Sequence, residues 1–358
     1  MKILHVVGAR PNFMKVAPLV HELANRGGCE QLLVHTGQHY DEKMSDVFFR
    51  DLGMPQPDLN LEVGSGTHAA QTAQIMIRFE PVLIERRPDW VVAPGDVNST
   101  LACALVAAKL GVPVAHVEAG LRSFDRTMPE EINRVLTDQI SDLLLTPSAD
   151  ANRNLEREGV ASSKICLVGN LMIDTLVRLL PKAEEGWPEV RAKLGIDGAY
   201  GLLTLHRPSN VDHPEVLGPL IAELNRVADG IPLVFPVHPR TAQRLSGVSA
   251  RIRLVEPLGY VEFLAAQRHA ALVITDSGGI QEETTYLGVP CLTMRENTER
   301  PVTITHGTNR LVRSIEDLAA AAEAALAHGT KPGPIPYWDG HAAVRAADAL
   351  LSLGPERG

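Results

Sequence analysis

Basic charge, paired cysteines and long apolar runs are all scarce in this chain, and each shortage removes a class of protein. Across 358 residues, 34 Lys and Arg stand against 43 Asp and Glu, a formal net charge of −9. That balance argues against a nucleic-acid binder and leaves no basic patch for a membrane surface. The four cysteines (Cys29, Cys103, Cys166, Cys291) show no C-x-x-C spacing and read as buried free thiols of a reducing compartment. No apolar run approaches the length of a membrane span. The N-terminal run is short and interrupted by Arg10 and Lys15, unlike a secretory signal, so a cytoplasmic location is expected. There is no G-x-G-x-x-G after the first apolar run, and no G-x-x-x-x-G-K-[ST]. Low-complexity tracts are also missing.

What the sequence has is alternation. Apolar runs at 3–7, 31–35, 90–93, 112–117, 143–146 and 165–168 alternate with amphipathic segments, including 14–26 and 129–141, in a βαβ rhythm. Within 129–141, Ile132, Val135, Leu136, Gln139 and Ile140 recur at helical spacing. Residues 181–200, rich in proline, glycine and charge, read as a linker. The rhythm restarts at 202–205, 233–236, 252–255, 270–274 and 290–294, and a last helix is expected over 342–353. The simplest reading is an α/β fold of two doubly wound (Rossmann-like) domains facing a cleft, 1–180 and 181–335, with a terminal segment 336–358. Polar and charged residues gather just after the strands, where open α/β sheets place ligands.

The stretch Thr275-Asp276-Ser277-Gly278-Gly279-Ile280-Gln281-Glu282-Glu283 is a glycine-rich turn between an apolar strand and a helix start. Unpaired backbone N–H groups there favour an anion, and two residues without a Cβ admit a phosphate or sugar closely. Glu282 and Glu283 suit a ribose hydroxyl, and equally suit the helix dipole with no ligand. Near the N-terminus, Gly8-Ala9-Arg10-Pro11 followed by Lys15 places two cations near a helix start, an arrangement that suits a diphosphate.

Asp96, Glu118 and Glu130 are carboxylates at element ends of the first half, and a cluster of acids in a cleft can supply proton abstraction. Each has a structural alternative. Asp96 can shape its own turn with Asn98 and Ser99. Glu118 can be a solvent-facing strand end. Glu130 can complete a capping box with Thr127, or pair with Arg134 at i,i+4. His206 and His238 both end apolar strands of the second half and suit phosphate binding or proton transfer. Neither has a companion ligand at tight spacing, so no metal site is expected.

Taken together, these segments resemble the non-hydrolysing UDP-N-acetylglucosamine 2-epimerase family nearly end to end. The matching text includes Gly37-Gln38-His39, Gly95-Asp96, His116-Val117-Glu118-Ala119-Gly120-Leu121-Arg122 and Pro129-Glu130-Glu131-Ile132-Asn133-Arg134. It continues with His206-Arg207, Pro236-Val237-His238-Pro239, the Asp276 turn and Thr298-Glu299-Arg300-Pro301. The resemblance implies the glycosyltransferase-B architecture, UDP held mainly by the C-terminal domain, and a final helix crossing back onto the first domain. It implies reversible C2 epimerisation of a UDP-sugar with no added cofactor, by UDP elimination and re-addition through a 2-acetamidoglucal. It places Asp96, Glu118, Glu130 and His206 in catalysis. Arg10, Lys15, Phe263, Ser277, Gly278, Gly279, Glu283 and Arg300 are placed in substrate and UDP binding. Gln38, Gln71, Arg207 and His238 fall in a region that binds a second UDP-sugar as activator, and a homodimer is implied. Some text departs from the commonest form: His206-Arg207-Pro208-Ser209-Asn210 replaces an Arg-Arg-Glu-type continuation, and Met128-Pro129 replaces Trp-Pro. A sister group acting on UDP-2,3-diacetamido-2,3-dideoxyglucuronic acid shares Leu121-Arg122-Ser123-Phe124 and Met128-Pro129. The C3 and C6 substituents therefore stay open, and a transferase of the same architecture is a further alternative.

Overall fold

The computed structural model describes residues 1–38, 51–211, 213–237, 242, 245, 247–329 and 332–353. Its contacts divide the chain into two units, Met1–Arg178 with Pro336–Gly358, and Leu179–Ile335.

In the first unit, β1 (Lys2–Val7), β2 (Glu30–His35), β3 (Leu59–Asn60), β4 (Trp90–Pro94), β5 (Val114–Val117), β6 (Leu143–Thr146) and β7 (Ile165–Leu167) form one parallel sheet. Its order is β3-β2-β1-β4-β5-β6-β7. Helices α1 (Arg10–Arg26), α2 (His68–Arg86), α3 (Asn98–Lys109), α4 (Pro129–Ile140), α5 (Ala149–Arg157) and the start of α6 (Leu171–Leu194) intervene. The strands read as unbroken apolar runs because both faces are covered, and successive side chains serve opposite faces. Ile3, Trp90 and Val92 share a core with Leu19 and Leu23 of α1, whereas Leu4, Val6, Val91 and Ala93 share another with Ile75, Phe79 and Leu83 of α2.

The last helix, Ala342–Ser352, belongs to the first of these cores through Ala342, Ala343, Ala346, Ala347 and Leu350. Its N-cap residue supplies no side-chain bond. Asp174 of α6 does so instead, accepting from the backbone N–H of Ala342 at 3.1 Å and of Ala343 at 2.7 Å. Gly169 permits the close chain approach beside it: an added Cβ would stand 2.0 Å from the Tyr337 carbonyl oxygen.

The second unit repeats the plan with β8 (Gly201–Thr204), β9 (Leu233–Pro236), β10 (Ile252–Val255), β11 (Leu272–Thr275), β12 (Cys291–Thr293) and β13 (Asn309–Leu311), all parallel. The order is β10-β9-β8-β11-β12-β13. Helices α7 (Pro214–Gly230), α8 (Tyr260–Arg268), α9 (Gly278–Leu287) and α10 (Leu318–His328) cover it, and Leu203, Leu220, Phe235, Ile274 and Leu318 share one core. In each sheet the winding reverses once, between β1 and β4 in the first and between β8 and β11 in the second. A doubly wound sheet opens its crevice at that reversal. The turns at 8–9 and 95–97, and those at 205–207 and 276–277, follow these strands.

Three local expectations need correction. Residues 181–200, expected as a linker, are helical as far as Leu194, through Pro181 and Pro188. Each proline forfeits a helix hydrogen bond. Burial of Ala183, Val190 and Leu194 offsets this, as does Trp187 stacked on His269 at 4.4 Å. Glu184 adds ion pairs to Arg268 and His269. In α4, the apolar set that marks the helix in the sequence is not its buried face. Glu131, Asn133, Arg134, Thr137 and Asp138 point inward, while Ile132 is 39% and Leu136 46% exposed. Finally, α4 begins at Pro129 with Met128 as its N-cap and no side-chain cap bond, so the Thr127–Glu130 capping box does not form. The Thr127 hydroxyl donates to Asp125 instead, at 2.6 Å.

Candidate functional site

In the first unit, Asn12 fixes the turn after β1. Its Oδ1 accepts from the N–H of Gly8 (3.1 Å) and Ala9 (3.0 Å), and its Nδ2 donates to the Pro94 carbonyl at 3.0 Å. One helical turn on, Lys15 is buried and its Nζ pairs with Glu118 Oε2. Glu118 follows β5 and is itself buried, so it is not the solvent-facing strand end that the sequence allowed. Its φ is 69°, in the left-handed region that residues with a Cβ seldom occupy. Gly95, at φ 68°, makes room for this pair: a Cβ there would stand 2.9 Å from Lys15 Nζ and 3.7 Å from Glu118 Oε2. The next residue, Asp96, pairs through Oδ2 with Arg134 Nη2. Arg134 Nη1 also pairs with Glu131, at 2.8 Å. Glu131 in turn accepts from the N–H groups of Ser123 and Phe124, each at 2.9 Å. The Asn133 amide donates to the Asp96 carbonyl at 2.9 Å.

Asp96, Glu118, Lys15 and Arg134 are thus gathered around Gly95, each carboxylate with one cation against it. A small cavity beside Lys15 and Glu118 is lined also by Pro147, Asn170 and Met172, among others. Glu130 sits in the first turn of α4, exposed to solvent. The Arg10 side chain lies outside the described atoms. Gln38 and Gln71 are buried together: Gln38 Oε1 accepts from the Ser99 N–H (3.0 Å) and hydroxyl (2.6 Å). Gln71 accepts from Asn98 Nδ2 at 2.8 Å and donates to the Gly64 carbonyl at 2.9 Å.

In the second unit, Asp276 after β11 is completely buried and organises the end of β8. Its carboxylate accepts from the N–H of His206 (3.0 Å), the N–H of Arg207 (2.9 Å) and the Asn210 amide (3.0 Å), and meets His206 Nδ1 at 2.9 Å. Burial alone would raise the Asp276 carboxyl. The hydrogen bond and charge of His206, then the Arg207 N–H and the Asn210 amide, hold it below the usual carboxylate range. With Nδ1 engaged and the side chain 64% exposed, His206 has Nε2 left for a ligand. Arg207 Nε donates to the Asp276 carbonyl at 3.0 Å. His238 lies outside the described residues.

Helix α9 starts at Gly278 with Ser277 as N-cap, and the Ser277 side chain makes no cap bond. The Arg300 guanidinium rests on this start: a Cβ on Gly278 would stand 2.5 Å from its Nη1. Arg300 pairs with Glu282 at 3.0 Å and with Glu299, which also holds Arg295 at 2.8 Å. A helix N-terminus with a guanidinium laid across it is a strong setting for a phosphate. Gly279 is the second residue of that turn. Glu283, one turn further, is buried and accepts from the Tyr260 hydroxyl at 2.9 Å. Burial pushes its carboxyl up to about 7, against the lowering effect of the hydrogen bond from Tyr260. Phe263 lies three residues after Tyr260 on α8, half-buried. Tyr260, Glu131 and Asn12 are the participants that sequence reasoning missed. Glu131 had a signal, since it stands at i,i+3 to Arg134 in the quoted segment.

Among the described residues, no group of three or more His, Cys, Asp or Glu is arranged to hold a metal ion. Nor is any described helix long and apolar enough to cross a membrane.

Two doubly wound parallel sheets of this kind define an α/β protein of the glycosyltransferase-B class. The profile of the UDP-N-acetylglucosamine 2-epimerase family matches residues 21–351, and the chain belongs to that family. It is 43% identical over 364 residues to a UDP-N-acetylglucosamine 2-epimerase of Methanocaldococcus jannaschii, covering 98% of this chain and 99% of the relative. It is 40% identical over 360 residues to a UDP-2,3-diacetamido-2,3-dideoxy-D-glucuronate 2-epimerase of Pseudomonas aeruginosa, covering 99% and 100%. The crystal structure of the Methanocaldococcus jannaschii UDP-GlcNAc 2-epimerase in complex with UDP-GlcNAc and UDP superposes with a TM-score of 0.90. That match, at 43% identity, covers 98% of this chain and 100% of the other.

Proposed function

We propose that the protein interconverts UDP-N-acetylglucosamine and UDP-N-acetylmannosamine, an isomerase acting at C2 of the sugar. In the proposed route a carboxylate removes the C2 proton while the C1–O bond to UDP breaks and a C1=C2 double bond forms. Protonation of the opposite face of C2 and return of the UDP oxygen to C1 complete the inversion. Two faces call for two acid–base groups, and Asp96 and Glu118 are assigned to them, with Glu130 as a third participant. His206 is assigned to the departing and returning diphosphate, through Nε2. Arg10 and Lys15 are assigned to substrate binding, and Ser277, Gly278, Gly279 and Arg300 to the diphosphate. Glu283 takes the ribose hydroxyls and Phe263 walls the uracil.

The observation that carries this reading is the gathering of Asp96 and Glu118 around Gly95, each beside its own cation, in a chain of this family. We further propose a homodimer, activation by a second UDP-sugar through Gln38, Gln71, Arg207 and His238, and a role in polysaccharide synthesis in the cytoplasm. The second reading, the diacetamido-uronate substrate, is favoured by the 40% identity to the Pseudomonas aeruginosa relative.

The test is NMR of the purified protein with UDP-N-acetylglucosamine and no acceptor. The expected product is the manno epimer. No product there, with turnover of the diacetamido-uronate, would establish the second reading. A product that appears only with an acceptor would establish a transferase.

A further inference from the structure

His116 stands two residues before Glu118 on β5 and is completely buried. Its Nε2 lies 2.7 Å from the Gly95 carbonyl oxygen and its Nδ1 lies 2.6 Å from Asp138 Oδ1. A carbonyl can only accept, so Nε2 carries a hydrogen and donates it to Gly95. Asp138, on the inward polar face of α4, uses Oδ2 to accept from the Gly120 N–H at 3.1 Å and to pair with Arg122 at 2.7 Å. One imidazole and one carboxylate therefore tie the carbonyl just before Asp96 to the amide two residues after Glu118. The Glu118 turn needs such support, because Glu118 sits at positive φ, where a Cβ-bearing residue seldom stays unaided, while Gly95 gains a fixed orientation for a turn that glycine leaves free to move.

We propose that His116 and Asp138 are positioning residues of the epimerisation. They fix the two carboxylate turns relative to each other without touching substrate. The proposal rests on the functional reading above, since the separation of Asp96 and Glu118 matters only if both serve one sugar carbon. It also explains why α4 turns its polar side inward: that face supplies Asp138 to one turn and Arg134 to the other.

The test uses two amides that each keep half of the imidazole. His116→Asn retains a donor near the Nδ1 position, facing Asp138, and gives up the bond to Gly95. His116→Gln retains a donor near the Nε2 position and gives up Asp138. We expect His116→Asn to lower kcat about 10²-fold with little change in KM, the scale of an ångström-sized misplacement. His116→Gln, which breaks the same tie at its other end, should lose a comparable factor. Amide hydrogen exchange should quicken at Gly95 in His116→Asn and at Gly120 in His116→Gln, while the rest of the sheet stays protected.

A wild-type kcat in either folded amide variant, or a loss that falls on KM alone, overturns the proposal. If neither variant folds, Asp138→Asn decides, because it preserves volume. A folded protein with reduced kcat supports positioning, and an unfolded or fully active one overturns it in favour of a purely structural role. Wild-type protein that leaves both UDP-sugars unchanged would fail the functional reading, and the exchange at Gly95 and Gly120 would still decide whether His116 holds the turns.

Discussion

Lys15 and Arg134 are both buried cations, and each is set against one of the two carboxylates assigned to C2. Replacing either acid by its amide keeps the shape and removes the proton-accepting group. Asp96→Asn and Glu118→Gln are each expected to lose on the order of 10²–10⁴ in turnover while the fold survives. Retained turnover in both, measured with far-UV circular dichroism as the check on folding, would remove these residues from the chemistry. Glu283 makes a different prediction, about stability. Its carboxyl is raised from 4.5 to about 7 by burial, so between those pH values the folded chain holds a proton that the unfolded chain has released. Nucleotide-free protein should therefore lose stability as pH rises from 4.5 towards 7, with no further loss from this group above that. Glu283→Gln removes the ionisation and should raise Tm relative to wild type at pH 8 more than at pH 5, as a thermal melt at each pH would reveal. Equal shifts at both values would mean that burial does not govern this carboxyl.

Elements differ in how openly the sequence announces them. The strands were legible because a parallel strand covered on both faces is one apolar run, as 90–93 and 143–146 are, and the loops that follow hold most of the candidate site. Helix α4 was legible as a helix but not in its orientation. Its inward face meets the Asp96 carboxylate, the Ser123 and Phe124 amides and His116, all of which lie outside the helix itself. Apolar spacing marks a buried face only where that face meets apolar neighbours. Helix α6 was hidden for the opposite reason: its prolines read locally as breaks, while the packing of Trp187 on His269 that sustains it is non-local. The last helix owes its start to Asp174, which no local pattern revealed. Asp174→Ala should cost about 1 kcal/mol, the usual value of a lost N-cap. In urea unfolding the midpoint should fall at unchanged slope, with faster amide exchange confined to the first turn after His341. An unchanged midpoint would show that the apolar contacts of Leu350 and its alanine neighbours hold the helix alone.

At the scale of the whole molecule, the proposed reaction dictates where a proton must go. Inverting C2 requires breaking a bond there, and the sequence has no G-x-G-x-x-G through which a nicotinamide could take up a hydride. The remaining route is proton removal by a carboxylate, assisted by departure of UDP from C1. The proton that returns to the opposite face then comes from a second group, one that exchanges with water between turnovers. In D₂O the manno product should carry deuterium at C2. Because the reaction is reversible, recovered gluco substrate should gain deuterium as cycles accumulate. Asp96 and Glu118 need not contribute equally: the variant lacking the gluco-face base should neither exchange nor turn over. The variant lacking only the manno-face acid should still wash deuterium into the gluco substrate, because the first base can return what it removed. Proton NMR of both sugars in D₂O, for wild type and for each amide variant, therefore assigns the faces. Product formed with ordinary hydrogen fully retained at C2 would rule out the exchanging-acid route, and would point to a shielded single base or to hydride transfer.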